Sequence, residues 1–190
     1  MAETYYDQKT FTKVDYTTLN INQKEYNKCT FINCDFSNTN LTRVIFSDCL
    51  FDTCNLSLAH LNQVKMENGQ FRSCKMLGLN FNACSDFLFS VSFTNCQLDY
   101  SIFVQKKLKN TKFNDCSLKE VNFSDCDLSA ADFSGSDLDR AVFRQTNLEN
   151  ADFREAQNFS IDPELNKLKK AKFSRSDLSG LLYKYNLQIF

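Results

Sequence analysis

Residues 116–153 read CSLKEVNFSDCDLSAADFSGSDLDRAVFRQTNLENADF. A large apolar residue returns at every fifth position, as Leu118, Phe123, Leu128, Phe133, Leu138, Phe143, Leu148 and Phe153, and a smaller residue stands two places before each. An amphipathic helix needs apolar residues about every 3.6 positions and a half-buried strand needs them at every second one. Neither element explains a period of five. The two marked residues, i and i−2, point the same way on a short extended segment, so the other three positions must turn the chain. Those three are mostly Asp, Asn, Ser, Arg and Glu, and Asp, Asn and Ser favour turns by bonding their own backbone. A unit this small buries nothing alone and must stack on copies of itself.

The same register extends back through Phe81, Met76, Phe71, Met66, Leu61, Leu56, Phe51, Phe46, Leu41, Phe36, Phe31, Tyr26, Ile21, Tyr16 and Phe11. After Phe81 the next centre that fits is Leu88, followed by Phe93, Leu98, Phe103, Leu108 and Phe113, so two extra residues enter near 84–87 as a bulge or small loop. Lys24 and Lys106 fall in slots where a small inward residue is expected. Their stems are predicted to snorkel out of a corner and distort the coil locally.

The motif seen in Ala131-Asp132-Phe133, Ser136-Asp137-Leu138 and Ala151-Asp152-Phe153 resembles that of the pentapeptide-repeat proteins. That resemblance implies an all-β solenoid, a right-handed quadrilateral β-helix with four pentapeptides per coil. The centres from Phe11 to Phe153 then make about seven coils, and at ~4.8 Å per coil the rod is roughly 35 Å long. The expected organisation is a lead-in or cap at 1–10, the β-helix at 11–157, and a C-terminal helix, last coil and tail at 158–190.

Composition agrees with one continuous core. The chain has 190 residues, 19 Phe, four Gly, one Pro, no Trp and a formal charge of −1. That charge implies neither a nucleic-acid binder nor a supercharged acidic protein. No apolar run is long enough to span a bilayer, and MAETYYDQKT lacks the basic start and apolar centre of a signal peptide, so a cytoplasmic protein with no membrane contact is expected.

Of nine cysteines, Cys29, Cys34, Cys49, Cys54, Cys74, Cys96, Cys116 and Cys126 occupy the i−2 slot, and Cys84 occupies it if the first register runs on. Elsewhere that slot holds Ala, Ser, Thr or Val, so the thiols read as small fillers between coils. The C-x₄-C spacings at Cys29/Cys34 and Cys49/Cys54 invite zinc, but successive i−2 residues line adjacent walls of a packed interior and leave no tetrahedral site. An odd cysteine count also weighs against a disulfide framework. No cofactor or metal is expected.

Catalysis finds little. His60, the one histidine, precedes the inward Leu61 and reads as a solvated turn residue. There is no phosphate loop, G-x-S-x-G or H-E-x-x-H, and a convex rod offers no substrate pocket. The expectation is a protein that is not an enzyme and has no small-molecule substrate.

Surface chemistry remains. From residue 115 to 155 ten acids face four bases, a local charge of −6. The candidate acidic surface is Asp115, Glu120, Asp125, Asp127, Asp132, Asp137, Asp139, Asp152 and Glu155, with Glu149 beside them. One reading is turn chemistry on a solvated face. Just before it, Lys106, Lys107, Lys109 and Lys112 form a basic patch of unassigned role.

Beyond Phe153 the pattern breaks at Asn158 and Pro163. Asp162 as N-cap, Pro163 at the first helical position and Leu165 with Leu168 predict a short helix, after which Leu168, Phe173 and Leu178 fall back into register. The chain closes on Leu181, Leu182, Tyr183, Tyr185, Leu187, Ile189 and Phe190. An open coil end must be capped or paired, so these residues either fold over the last coil or form a dimer interface.

Residues 158–182 are similar to the tail of the Qnr-like quinolone-resistance group. That resemblance implies a homodimer joined through the C-terminus, and a DNA-like shape and charge that bind DNA gyrase or topoisomerase IV, without direct nucleic-acid contact, and protect them from quinolones. Larger projecting loops typical of that group are lacking here, where only two residues are inserted. The alternative is a rigid scaffold binding an unrelated protein partner.

Overall fold

Parallel pairing at an offset of 20 residues organises the chain, which the computed structural model describes from residue 4 to residue 188. On the first wall Tyr6 pairs with Tyr26, Tyr26 with Phe46 and Phe46 with Met66, through strands Tyr5–Asp7, Glu25–Asn27, Ile45–Ser47 and Lys65–Glu67. On the second, Thr10–Thr12, Thr30–Ile32, Leu50–Asp52, Gly69–Arg72, Val91–Thr94 and Phe113–Asn114 form a six-stranded parallel sheet, and Asp152–Phe153 pairs with Lys172–Phe173. Isolated parallel bridges hold the other two walls. Four units of five make one coil, so the molecule is the expected β-solenoid. The bridge column Asp15, Asp35, Asn55, Lys75, Gln97, Ser117, Asp137 and Gln157 has eight rungs, one more than the sequence count of about seven.

The centres fill the bore. Coil spacing places each ring over the next: Phe31 on Phe51 at 4.8 Å, Phe51 on Phe71 at 4.8 Å and Phe133 on Phe153 at 4.8 Å. Rings from adjacent walls meet edge to face, as Phe113 and Phe123 do at 5.4 Å. Both geometries are favoured by the ring quadrupole.

Corners follow one recipe. The residue two past most centres adopts left-handed backbone, as at Asn33 (φ 52), Thr53 (φ 55) and Asp115 (φ 53). This costs a residue bearing a side chain roughly 1–2 kcal/mol. In return its N–H reaches the next coil: Asn33 donates to the Asp52 carbonyl at 2.9 Å and Asn38 to that of Ser57 at 3.0 Å. Asp or Asn just before a centre accepts the N–H two residues on, as in Asp35 from Ser37 at 2.8 Å and Asp132 from Ser134 at 3.0 Å. The turn chemistry read from the sequence is what the corners use.

The inserted pair sits slightly later than the spacing placed it. Phe71 pairs with Phe93, 22 residues on instead of 20, yet Cys84 is buried in the first register and Ser85 N–H donates to the Val64 carbonyl at 2.9 Å. The chain then leaves the wall over 86–89. Leu88, expected to point inward, is 55% exposed, and Phe89 packs on Phe81 with ring centroids 6.3 Å apart. Lys106 explains the exchange. Its stem fills the slot above Cys84, 3% exposed, and its ammonium bonds the Cys84 carbonyl at 2.9 Å and Asp86 at 2.5 Å, 4.9 Å from the Phe89 centroid. The lysine turns inward, where snorkelling had been expected, and the loop supplies its counter-charge. Lys24, in the same column, is half-buried and reaches the Tyr6 hydroxyl at 3.3 Å.

At the C-terminal end the helix expected from Asp162 is absent. Asp162 does accept the Glu164 N–H at 2.9 Å, but the Leu165 N–H returns to the Asp162 carbonyl at 3.2 Å and closes a single turn. The coil ladder outcompetes the helix: Lys167 N–H bonds the Thr146 carbonyl at 3.0 Å, and the buried Asn166 amide bridges the Phe143 and Asp162 carbonyls. Phe159 and Ile161 take the interior place that Asn158 leaves. Short 3₁₀ helices follow at Arg175–Leu181 and Tyr183–Tyr185, so Leu178 is 43% exposed and does not return to the core. Gly180 lies so close to Phe159 that a Cβ there would overlap the Phe159 carbonyl and ring.

Candidate interaction surface

The bore is filled by side chains, so a macromolecular partner meets only the outside. All nine cysteines are free and buried. Burial pushes the thiols of Cys49, Cys84 and Cys126 up to about 12, which keeps them protonated at neutral pH. Among the described residues no three His, Cys, Asp or Glu groups converge on a metal position. His60 is exposed on a bridge to Asn40. A recess of about 590 Å³ lies beside the inserted loop between Arg43, Gln63, Lys65 and Asp86, and its lining residues include no nucleophile paired with a base. No described helix is long and apolar enough to cross a membrane.

Strand register places the acids on different walls. Asp127 stands in the first-wall column between Lys107 and Asn147. Asp132 and Asp152 share the second-wall column with Lys112, and Asp137 lies on the third between Ser117 and Gln157. Asp115, Glu120, Asp125 and Glu155 sit at the left-handed corners that follow the second, third, fourth and second walls. The acids therefore girdle the C-terminal half. The basic patch divides too, with Lys106 inside, Lys107 and Lys109 on the first wall and Lys112 on the second.

Ion pairing sorts the acids further. Lys119 meets Asp137 at 3.2 Å, Arg140 meets Glu120 at 3.0 Å and Asp139 at 3.3 Å, and Arg154 meets Asp152 at 2.7 Å. Asp115, Asp125, Asp127, Asp132, Glu149 and Glu155 have no Lys or Arg at ion-pair distance among the described residues. Sequence counting found the surplus of acids; which ones stay unneutralised depends on neighbours 20 residues away.

Arg154 holds the Asp152 carboxyl down to about 2, with Lys172 adding to the effect. The unfolded value is about 3.9. A depressed carboxyl stabilises the fold above the unfolded value, and that contribution is lost as pH falls from about 4 toward 2. Arg154→Gln is expected to move the Asp152 midpoint upward in a carboxyl NMR titration; an unmoved midpoint would show that the pair is broken in solution.

The C-terminal end displays a cluster of apolar side chains. Leu182, Tyr183, Tyr185 and Leu187 are exposed, by 36%, 54%, 53% and 57%, while Leu181 is half-buried against the last coil. Ile189 and Phe190 lie outside the described residues. Lys184 ties this end down through Asp162 at 2.9 Å and Glu164 at 2.7 Å.

Similar folds are known. A trypsin-treated variant of QnrB1, a plasmid-mediated fluoroquinolone resistance protein, superposes with a TM-score of 0.66 at 19% identity over 98% of both chains. A second trypsin-treated variant gives 0.64, also at 19% identity, over 98% of this chain and 97% of that one. HetL, a pentapeptide-repeat protein involved in heterocyst differentiation regulation in the cyanobacterium Nostoc, gives 0.59 at 16% identity over 89% of this chain and 82% of its own. Comparison with curated proteins gives no match. The family model described as "Pentapeptide repeat region" matches residues 24–103, 44–123 and 106–182. With its five-residue period, four-walled coil and these overlapping matches, the chain belongs to the pentapeptide-repeat family.

Proposed function

We propose that this chain is a non-enzymatic, cytoplasmic binding rod that mimics DNA in charge, engages DNA gyrase or topoisomerase IV, and protects them from quinolones. The observation that carries the reading is the set of six unneutralised acids on the outside of the C-terminal half. A basic groove built for phosphates would meet Asp115 and Glu155, two coils apart at the corner that follows the second wall, while Asp125 faces out from the corner after the fourth. The same fold serves QnrB1, a fluoroquinolone resistance protein. Supercoiling by purified gyrase tests it: the chain inhibits or rescues the reaction, and Asp115→Asn with Asp125→Asn and Glu155→Gln weakens the effect severalfold. No effect of the unaltered chain on either topoisomerase, with or without a quinolone, contradicts the reading.

One observation favours a second reading. Because the acids are spread over the walls, the rod also suits a scaffold for an unrelated protein, and HetL is a pentapeptide-repeat protein with a regulatory role.

The exposed C-terminal residues fit a homodimer, because a second copy would cover an apolar end that water otherwise meets. Leu182→Asp with Leu187→Asp is expected to halve the mass in sedimentation equilibrium. An unchanged dimer mass, or a monomeric unaltered chain, overturns this assignment.

A further inference from the structure

Five of the nine cysteines stand in one column. Cys34, Cys54, Cys74, Cys96 and Cys116 fill the inward slot of the third wall in five consecutive coils, between Val14 and Ser136, and each is at most 2% exposed. Backbone bonds fix their register. The N–H groups of Asn55, Lys75, Gln97 and Ser117 donate to the carbonyls of Cys34, Cys54, Cys74 and Cys96 at 2.9–3.0 Å. The two inserted residues fall between Cys74 and Cys96 and leave the column unbroken. The Cys74 N–H donates to Cys96 Sγ at 3.4 Å, which places one side chain of the column directly over the next coil's cysteine backbone. No such run occurs on the first wall, where the same slot holds Val44, Val64, Cys84, Lys106, Cys126 and Thr146.

Thiolates select soft cations. Taking the zinc–thiolate bond of ~2.3 Å as the scale, two metal–sulfur bonds laid end to end span ~4.6 Å, and stacked coils repeat at ~4.8 Å. A two-coordinate ion therefore fits between consecutive sulfurs along the rod. A tetrahedral ion does not, since no three ligands converge.

We propose that this column is a linear site for soft monovalent cations, Cu(I) or Ag(I), with one ion between each adjacent pair of sulfurs and four in all. Each ion enters as one thiol proton leaves, with no change of oxidation state, so the buried column gains no net charge. Cys34, Cys54 and Cys74 give up bonds to the Phe11, Phe31 and Phe51 carbonyls, at 3.4 Å, that are weak because a thiol is a weak donor. Cys29 and Cys49, stacked on the second wall, form one further pair.

Native mass spectrometry of the reduced full chain, titrated with silver nitrate, tests this by counting. The unaltered protein holds five ions while its circular dichroism stays native. Cys74→Ser interrupts the column and removes two ions, Cys116→Ser shortens it and removes one, and Cys84→Ser removes none. Serine is chosen because Ser136 already occupies the next position of this column with its hydroxyl bonded to the Phe113 carbonyl. Equal losses for the three variants, no uptake, or uptake only as the dichroism is lost would each overturn the proposal.

Discussion

Phe113→Ala is expected to destabilise the rod by about 3–5 kcal/mol, the range for emptying a buried phenylalanine site. Phe113 is fully buried, stacks on Phe93 at 5.3 Å and Phe133 at 5.1 Å, and meets Phe103 and Phe123 edge to face. Each such pair adds ~0.5–1.5 kcal/mol beyond area, and walls tied at every coil cannot collapse into the gap. Phe11, half-buried in the first coil, has a neighbour on one side of its stack only. A solenoid is stabilised by contacts between adjacent repeats, so Phe11→Ala is expected to fray one end and cost less. Urea unfolding followed by circular dichroism measures both; equal losses would contradict the stacked account of the core.

Lys106 gives the second large effect. Asp86→Ala leaves its ammonium buried with only the Cys84 carbonyl, and is expected to destabilise by ~1–3 kcal/mol. The lower part of that range applies, because Asp86 is itself 85% exposed and water screens the pair. Lys106→Met removes the charge and keeps an apolar stem between Cys84 and Cys126, so it is expected to be neutral or stabilising. The melting temperature should fall for Asp86→Ala and hold or rise for Lys106→Met. If Lys106→Met lowers stability as much as Asp86→Ala, the ion pair holds the loop by more than compensating a buried charge.

Period five made the coil legible because each residue's role repeats: centre, filler and corner are set locally. Leu128, Phe133 and Leu138 are buried as their spacing required, and Asp132 and Asp137 accept the turn N–H groups their positions suggested. What spacing missed depended on contacts one coil away. Leu88 kept the period yet faces solvent, because Lys106 needed Asp86 and Phe89 at that place. Asp162 and Pro163 had a helix's opening residues, but the Lys167 and Asn166 bonds to the preceding coil fixed a turn. The acidic stretch was countable from sequence, while its division among walls needed the 20-residue register. The cysteine column was hidden for the same reason, since Cys74 and Cys96 are neighbours only when the insertion is placed.

Binding to gyrase in competition with DNA tests the functional account most directly. With a fluorescent duplex held by gyrase, added rod is expected to displace the DNA, and to do so less effectively as salt rises and screens the acids. Duplex that stays bound at a large excess of rod in low salt would contradict the account.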